Sequence, residues 1–356
     1  MTFAALALVA LLSAPGAGEN DKIEALLETG DFEAAATALE SSLAEPGGGA
    51  ESALLLSECY LQMRLPEKAA GALALAPPAL RAEPRYRYCM AEVLASRGET
   101  AEAEKLLEKA VGVSTDLRSA FRLAVLLYER GSYQRVEKIL ARCAGGEPPD
   151  YYCAIYRARS LLALDRPAEA IAALSVLHTA RSTPEVHYLM GRADYLLAKY
   201  SVAAAHFRRA LGEDKAYLEA AFSLSMALRR GGDKEGADAA LGNFVKLQKA
   251  DRIRLRKANR LSQKCRREPA SVDAWAEAGE FHLSTGDSDQ AQSHAWKALS
   301  LNPQQARARL LLARALRQSG AYGQAALHYR KVISQAPGDK IAEDELREMV
   351  RKHARQ

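Results

Sequence analysis

The sequence predicts an all-α protein, an α-superhelix (solenoid) in which pairs of helices stack on one another. The chain of 356 residues is 49% hydrophobic but only 6% aromatic, and a composition rich in Ala and Leu favours helices over strands. In addition, a turn followed five places later by a small residue recurs nine times along the chain, mostly with a period of 33 or 34 residues. Such a period is typical of a repeat array, in which each helix pair buries its apolar face against its neighbours.

Residues 1–18 are interpreted as a secretory signal peptide. The ten apolar residues from Phe3 to Leu12 are followed by small residues, and a run of this length is about half of a membrane span. We therefore expect an exported, periplasmic protein with no transmembrane span beyond this segment. The alternative is that these residues form a first buried helix, in which case a cytoplasmic location is expected.

The repeats are defined by a common phase. The turn positions are Gly30, Arg64, Gly98, Gly131, Asp165, Ala198, Gly232, Gly286 and Gly320. The small residues five places later are Ala35, Ala69, Ala103, Val136, Ala170, Ala203, Ala237, Ala291 and Ala325. A small residue here lets the second helix of a pair lie close to the first.

A further four places along, most repeats carry a bulky residue. These positions hold Leu39, Leu73, Leu107, Leu140, Leu174, Phe207, Leu241, Ala295 and Tyr329. A bulky side chain at this place is expected to fill the space between one pair and the next. The spacing gives the following organisation: repeats 1–7 in residues 19–251, a basic helical insertion in 252–271, repeats 8 and 9 in 272–339, and a C-terminal capping helix in 340–356.

The repeats resemble the tetratricopeptide repeat family. The match is best in residues 272–305, through Trp275, Gly279, Ala291, Ala298 and Pro303. Residues 184–217 also fit, through Gly191, Ala203, Phe207 and Ala210, and residues 306–339 fit through Leu312, Ala325, Tyr329 and Pro337. The resemblance implies a right-handed superhelix whose concave surface is lined by the first helix of each pair. The chain departs from the family pattern only at single positions, such as Ala278, His282 and Arg64.

The implied concave surface carries an unusual share of aromatic and arginine side chains. The inward-facing positions of the family pattern can be transferred to each repeat of this chain by its position within the repeat. They are Arg85, Tyr88, Arg118, Phe121, Arg122, Tyr128, Tyr152, Tyr156, Arg159, Tyr188, Arg192, Tyr195, Phe222 and Arg229. These residue types are enriched at binding hot spots, so we expect the groove to hold a peptide or helix of a partner, with a preference for acidic character. The alternative is that several of these rings, above all Phe121 and Tyr188, only pack between adjacent helices.

The insertion is strongly basic. Residues 252–267 contain eight basic and no acidic residues, and we expect one helix from about Lys234 to about Arg267. The apolar face of this helix is expected to consist of residues that recur at helical spacing: Leu247, Ala250, Ile253 or Arg254, Ala258 and Leu261. The residues expected to face solvent are Arg252, Arg256, Lys257, Arg260, Lys264 and Arg267.

Three interpretations of this helix remain open. It is a spacer whose basic face is solvated or paired with acidic neighbours, a docking site for an acidic protein, or a surface for nucleic acid or an anionic membrane. No aromatic residue is interleaved to stack on bases, so a nucleic-acid partner is not expected. The net charge of the whole chain is only +5, which also gives no sign of a nucleic-acid binder.

No catalytic or metal-binding motif is found in the sequence. It has no GxSxG elbow, phosphate-binding glycine loop or HExxH sequence, and its five cysteines have no close metal-ligand spacing. Cys143 and Cys153 lie near enough for a disulfide after export, but small buried thiols are the alternative. We expect a non-enzyme without cofactors.

The function expected from these observations is a non-catalytic scaffold that binds a protein partner in its groove, in the bacterial cell envelope. Two alternatives are open: a self-assembling structural scaffold, and an accessory subunit that docks through the basic helix 252–267. At the C-terminus, Ile341, Leu346, Met349 and Val350 are expected to pack on the last repeat and cap the array.

Overall fold

The computed structural model describes residues 17–44, 50–113, 117–143, 151–180, 183–336 and 340–353. These residues form nineteen α-helices and one short 3₁₀ helix, Pro78–Ala82, so the all-α prediction is confirmed. The predicted signal segment 1–18 lies outside the described residues except for its last two positions, which begin the first helix. None of the described helices is both long enough and apolar enough to cross a lipid bilayer.

The helices form two compact units. The terminal unit consists of Met1–Ser96 and Leu255–Gln356, and the central unit of Arg97–Arg254. The helices of the central unit are α6 (Thr100–Val113), α7 (Leu117–Glu129), α8 (Tyr133–Cys143), α9 (Tyr151–Ala163), α10 (Pro167–Ala180), α11 (Pro184–Leu196), α12 (Tyr200–Glu213), α13 (Leu218–Arg230) and the first part of α14 (Lys234–Arg267).

The terminal unit takes helices from both ends of the chain. Its N-terminal helices are α1 (Ala17–Thr29), α2 (Phe32–Ala44), α3 (Ala50–Gln62), α4 (Pro66–Ala74) and α5 (Pro84–Ser96). Its C-terminal helices are the last part of α14, then α15 (Val272–Ser284), α16 (Ser288–Leu301), α17 (Ala306–Gln318), α18 (Tyr322–Gln335) and α19 (Lys340–His353).

The turn within each helix pair has the same backbone conformation. All nine predicted turn positions have positive φ, from 56° to 91°, and they are the only described residues that do. In the first turn, the N–H of Asp31 donates to the carbonyl of Leu26 (2.9 Å) and the N–H of Gly30 to that of Leu27 (3.1 Å). This pairing satisfies the last carbonyls of a helix and reverses the chain, and it needs one left-handed residue.

The predicted small residues make the close helix contacts. The residue five places after every turn is fully buried, including Val136. The bulky position that follows is also buried in eight repeats; Leu241 alone is half-buried. The reason is that the chain does not turn back after Leu241 but stays in α14 up to Arg267.

Within the terminal unit, the first repeat packs against the last one. One apolar cluster includes Leu39 and Leu54 from the N-terminal helices and Leu312 and Tyr329 from the C-terminal ones. The turn at Gly30 is so close to α18 that a Cβ atom there would lie 2.7 Å from Cγ of Gln324. Glycine is therefore favoured at this turn both because its φ is positive and because a side chain would collide with Gln324.

The α14 helix runs from Lys234 to Arg267 without a break, as the sequence predicts. Its expected burial pattern is confirmed only in part. Leu261 is buried, and Leu247 and Ala258 are half-buried. Ile253 is 69% exposed, and Ala250 and Arg254 are also exposed, so the predicted apolar face is wrong at these positions. The apolar contacts of the C-terminal part of this helix are confined to the stretch that faces α15.

The α19 helix caps the array with a narrower face than expected. Ala342 and Met349 are buried and Leu346 is half-buried, at helical spacing on one side. Ile341 and Val350 lie off this side and are exposed, so their predicted packing is wrong. Polar contacts replace it, since Glu345 accepts hydrogen bonds from Arg314 and from the hydroxyl of Tyr329.

Candidate functional site

The first helices of the pairs form a continuous inner layer in the central unit. The α7 helix contacts α9, α9 contacts α11, and α11 contacts α13. Among the described residues, the second helices α8, α10 and α12 make no comparable contacts with one another. A stack whose first helices are closer together than its second helices is concave on the side of the first helices.

Four rings from α7 and α9 form an aromatic cluster on this layer: Phe121, Tyr128, Tyr152 and Tyr156. The ring of Tyr156 lies 5.5 Å from that of Phe121 and 5.4 Å from that of Tyr128, both edge to face, and the rings of Phe121 and Tyr152 are 6.1 Å apart. Tyr152 is 58% exposed and the other three rings are half-buried. The cluster is therefore anchored on one side and open to solvent on the other, which suits a contact surface.

Tyr188, on α11, is the centre of a second group of rings. Its ring lies 5.0 Å from that of Tyr217 and 6.0 Å from that of Phe207, which is fully buried on α12. The guanidinium of Arg192 lies 5.9 Å from the centre of the Tyr188 ring. Tyr188 is thus partly a packing residue, as the alternative interpretation holds, and partly a support for an exposed arginine.

The other two predicted rings of the central unit lie apart from both groups. Tyr195 contacts Tyr200 at 5.4 Å, and Phe222 contacts Phe244 of α14 at 5.2 Å. Phe222 is exposed and Tyr195 is half-buried. These residues extend the aromatic surface along α11 and α13 without joining the cluster.

The predicted arginines of the central unit differ in what holds them. Arg159 forms an ion pair with Glu185 of the next first helix and lies 5.4 Å from the centre of the Tyr156 ring. Arg229 pairs with Asp238 at 3.3 Å. The remaining ones, Arg118, Arg122 and Arg192, lie on α7 and α11, the first two half-buried and the last exposed.

The protonation state of the cluster follows from its surroundings. Burial raises the pKa of Tyr156, the carboxylates of Glu129 and Glu185 raise it further, and the charge of Arg159 acts in the opposite direction. The Tyr156 hydroxyl therefore stays protonated at neutral pH and is available as a hydrogen-bond donor to a carbonyl or carboxylate.

Two predicted groove residues, Arg85 and Tyr88, lie on α5 in the terminal unit. Arg85 donates to Glu51 at 3.0 Å and to both carboxylate oxygens of Glu58 at 3.2 and 2.9 Å. Its guanidinium is thus held by two carboxylates of α3, so Arg85 forms ion pairs between two neighbouring first helices.

The predicted basic residues of α14 are a separate surface. Arg252, Arg256, Lys257, Arg260 and Arg267 are exposed. Lys264 is half-buried and pairs with Glu277 of α15 at 2.6 Å.

Sequence reasoning missed three residues that shape the surface. Glu185 neutralises Arg159, Tyr217 contacts Tyr188, and Thr183 lies with its hydroxyl 2.8 Å from that of Tyr151. Thr183 also caps α11 by accepting a hydrogen bond from the backbone N–H of Val186. Its position one residue before Pro184 and two before an acidic residue was the available signal.

Among the described residues there is no group of three or more His, Cys, Asp or Glu side chains placed to hold a metal ion. Cys59, Cys89, Cys153 and Cys265 are buried. The side chain of Cys143 lies outside the described residues, and Cys153 is a buried thiol that takes part in no disulfide, which agrees with the alternative interpretation.

Comparisons with known proteins fit the repeat geometry. Models of the tetratricopeptide repeat match residues 26–93 and 282–340, and a model described as anaphase-promoting complex, cyclosome, subunit 3 matches residues 96–177. A search of curated proteins gives no significant match.

Three solved structures are among those similar to this chain. MamA from Desulfovibrio magneticus RS-1 is 17% identical, with 47% of this chain and 96% of that chain covered and a TM-score of 0.44. A tetratricopeptide repeat protein from Parabacteroides merdae ATCC 43184 is 13% identical, with 75% and 98% covered and a TM-score of 0.41. The TPR domain of P58(IPK) is 15% identical, with 94% and 97% covered and a TM-score of 0.28.

The family assignment rests on the chain's own repeats and on the models that match them. Nine turns share one left-handed geometry, nine small residues are fully buried in the same phase, and repeat models match towards both ends of the sequence. The chain is a tetratricopeptide repeat protein.

Proposed function

We propose that this protein is a non-catalytic scaffold that binds an extended peptide or a helix of a partner protein on the inner layer of its central unit. The observation that carries the proposal is the aromatic cluster of α7 and α9. Its rings pack against one another on the protein side and are open to solvent on the other side. Rings held in this way bind with little loss of conformational entropy, because their rotamers are already fixed.

The chemistry around the cluster favours a partner with acidic side chains. Arg192 lies exposed on α11, one repeat beyond Arg159. Arginine binds carboxylates through two parallel hydrogen bonds, and the Tyr156 hydroxyl adds a further donor. A partner segment with aromatic or aliphatic residues next to Asp or Glu would match both features.

Two variants test this surface. The Tyr152→Ala, Tyr156→Ala double variant removes two of the four rings, and Val202→Ala, Leu301→Ala removes exposed apolar residues from second helices. In affinity capture from the native envelope fraction, we expect the first variant to lose a partner that the second retains. Equal capture by both variants contradicts the groove proposal.

A photo-crosslinker gives a direct measure of contact. Benzoylphenylalanine in place of Tyr152 is expected to crosslink to the captured partner, since that side chain is the most exposed of the cluster. The same probe in place of Val202 is the control and is expected to give no crosslink.

The proposed location is the bacterial cell envelope. The support is the apolar run from Phe3 to Leu12 followed by small residues, the pattern of a signal peptide. Fused to alkaline phosphatase, which is active only after export, residues 1–30 are expected to give activity that a Leu8→Arg change abolishes. An inactive fusion with an intact leader contradicts export.

A further inference from the structure

The C-terminal part of α14, Leu255–Arg267, is a second charged surface that the aromatic cluster does not use; it is called the basic segment below. It contains six basic and no acidic residues. In the described part of the chain, only Lys264 among these six forms an ion pair. Lys257 lies 5.1 Å from the centre of the Phe281 ring, and Arg266 donates to the hydroxyl of Ser262.

The acidic residues of the neighbouring helix α15 do not neutralise the rest of the segment. Glu277 is engaged by Lys264 at 2.6 Å. Asp273 and Glu280 are engaged by Arg307 of α17, at 3.5 and 2.7 Å. The expectation that the basic face pairs with its own neighbours is therefore met at one residue only.

Helix geometry places the remaining arginines in a row. Leu261 and Cys265 are buried in a cluster with Ala274, Ala278 and Phe281 of α15. Arg256, Arg260 and Arg267 are spaced by four and seven residues, so they lie on the side of the helix turned away from α15. At a rise of about 1.5 Å per residue, the row is about 16 Å long. All three are exposed.

Such a row costs the helix stability. Like charges one turn apart repel each other by a few tenths of a kcal/mol. The carboxylate that acts on the row is Glu277, through the charge of Arg260, and Lys264 already engages it. The charge of the row is available to a binding partner, which would release the repulsion on docking.

We propose that the basic segment docks an acidic segment of a partner protein, at a surface distinct from the aromatic cluster. Charge complementarity selects an acidic ligand. Leu255, 57% exposed at the start of the segment, offers an apolar contact that a protein segment uses and a phosphate backbone does not.

Two other anionic ligands fit the segment less well. A bilayer needs a broad free apolar face on the helix, but here that face is buried against α15. Single-stranded nucleic acid needs stacking rings, and the segment contains no aromatic residue.

The test compares two triple variants of equal charge. Arg256→Gln, Arg260→Gln, Arg267→Gln neutralises the row. Arg208→Gln, Arg209→Gln, Arg330→Gln removes three exposed arginines from the second helices α12 and α18. The probe is a fluorescein-labelled synthetic helical peptide with glutamate on one face and leucine on the other, followed by anisotropy at low and high salt.

We expect the row variant to bind this peptide about tenfold more weakly or worse, the control variant to bind like the wild type, and salt to weaken the wild type. A Leu255→Ala change is expected to weaken peptide binding severalfold. The Tyr152→Ala, Tyr156→Ala variant is expected to keep it, so the failure of the groove proposal and of this one are distinguishable.

Two results would overturn the proposal. One is equal binding of the peptide by both triple variants, when circular dichroism shows equal helicity. The other is that the protein binds duplex DNA, or vesicles of phosphatidylglycerol, more tightly than the peptide, and that the row variant loses this binding. That outcome would assign the segment to a phosphate ligand.

Discussion

The guanidinium of Arg309 donates to both carboxylate oxygens of Glu33, at 2.8 and 3.2 Å, although 276 residues separate the two in sequence. Arg309 is only 3% exposed, and Lys331 also reaches Glu33 at 3.2 Å and Asp31 at 2.8 Å. Burial alone would raise the pKa of Glu33, but the hydrogen bonds and charges of Arg309 and Lys331 outweigh it and hold the pKa at about 2. This polar cluster joins the first repeat to the last one within the terminal unit.

Replacing Arg309 should destabilise the terminal unit. We expect Arg309→Met to cost about 2 to 3 kcal/mol, because it leaves Glu33 partly buried with only Lys331 as a partner. Urea unfolding gives the total loss, and hydrogen exchange should show it in the amides of α2. Arg330→Met, at an exposed neighbouring position, should change stability by less than about 0.5 kcal/mol; an equal loss in both would refute the role of the pair.

The buried His328 should make stability depend on pH. Burial, together with the charges of Lys331 and Arg309, lowers its pKa to about 3 against the opposing effect of Glu33 and Asp31. Between about pH 6.5 and pH 3 the unfolded chain therefore binds one more proton here than the folded chain, and stability falls as the pH falls, by about 1.4 kcal/mol per pH unit.

The check is the difference between two stability curves. His328→Leu lacks this titration, so its stability should decline less steeply from pH 6 to pH 4 than that of the wild type. Parallel curves over this window would show that His328 is protonated in the folded protein.

Gly191 should tolerate no side chain. A Cβ atom there would lie 2.7 Å from Cε1 of the buried Phe207 ring, so Gly191→Ala should cost about 1 to 3 kcal/mol through overpacking. Gly212→Ala is the control, since no atom lies within 4 Å of a Cβ at that helical site, and it should gain up to about 1 kcal/mol. Hydrogen exchange of α11 and α12 measures the stability change of both variants. An unchanged stability in Gly191→Ala would contradict the close packing of Gly191 against Phe207.

The turn residues should respond to glycine according to their φ angle. Ala198 has φ 59°, a conformation that costs an L residue about 1 to 2 kcal/mol, so Ala198→Gly should stabilise the sixth repeat by about 0.5 kcal/mol after the entropic cost of glycine. Gly98→Ala, with φ 82° and no atom near its Cβ, should have the opposite effect. Thermal unfolding of both variants is the measurement, and shifts of the same sign would contradict this account.

Local features of the fold could be predicted from sequence because they depend on residues close together in the chain. The turn at Asp165 and the buried Ala170 lie within one repeat, so their phase is visible in the sequence itself. The contact between Glu33 and Arg309 was not predicted, since no pattern links two charges so far apart. Ile253 was expected to face the repeats, but no neighbour covers that stretch of α14.

The candidate site could be predicted only as a set of residue types. Phase placed Phe121, Tyr152 and Tyr156 on adjacent first helices, and the structure brings these rings together. The same phase gave no sign that Arg85 is held by Glu51 and Glu58, because an ion pair depends on which side chains happen to meet between helices.

The ion pair of Glu33 and Arg309 bears on how such a chain can evolve. Duplicating or deleting a segment of 34 residues preserves the phase of every turn and every buried alanine, so a repeat array tolerates changes in length. A bond between the first and ninth helix pairs is different, because a gained or lost repeat gives both residues new neighbours. The contact between Glu33 and Arg309 therefore ties this structure to one number of repeats between the two residues.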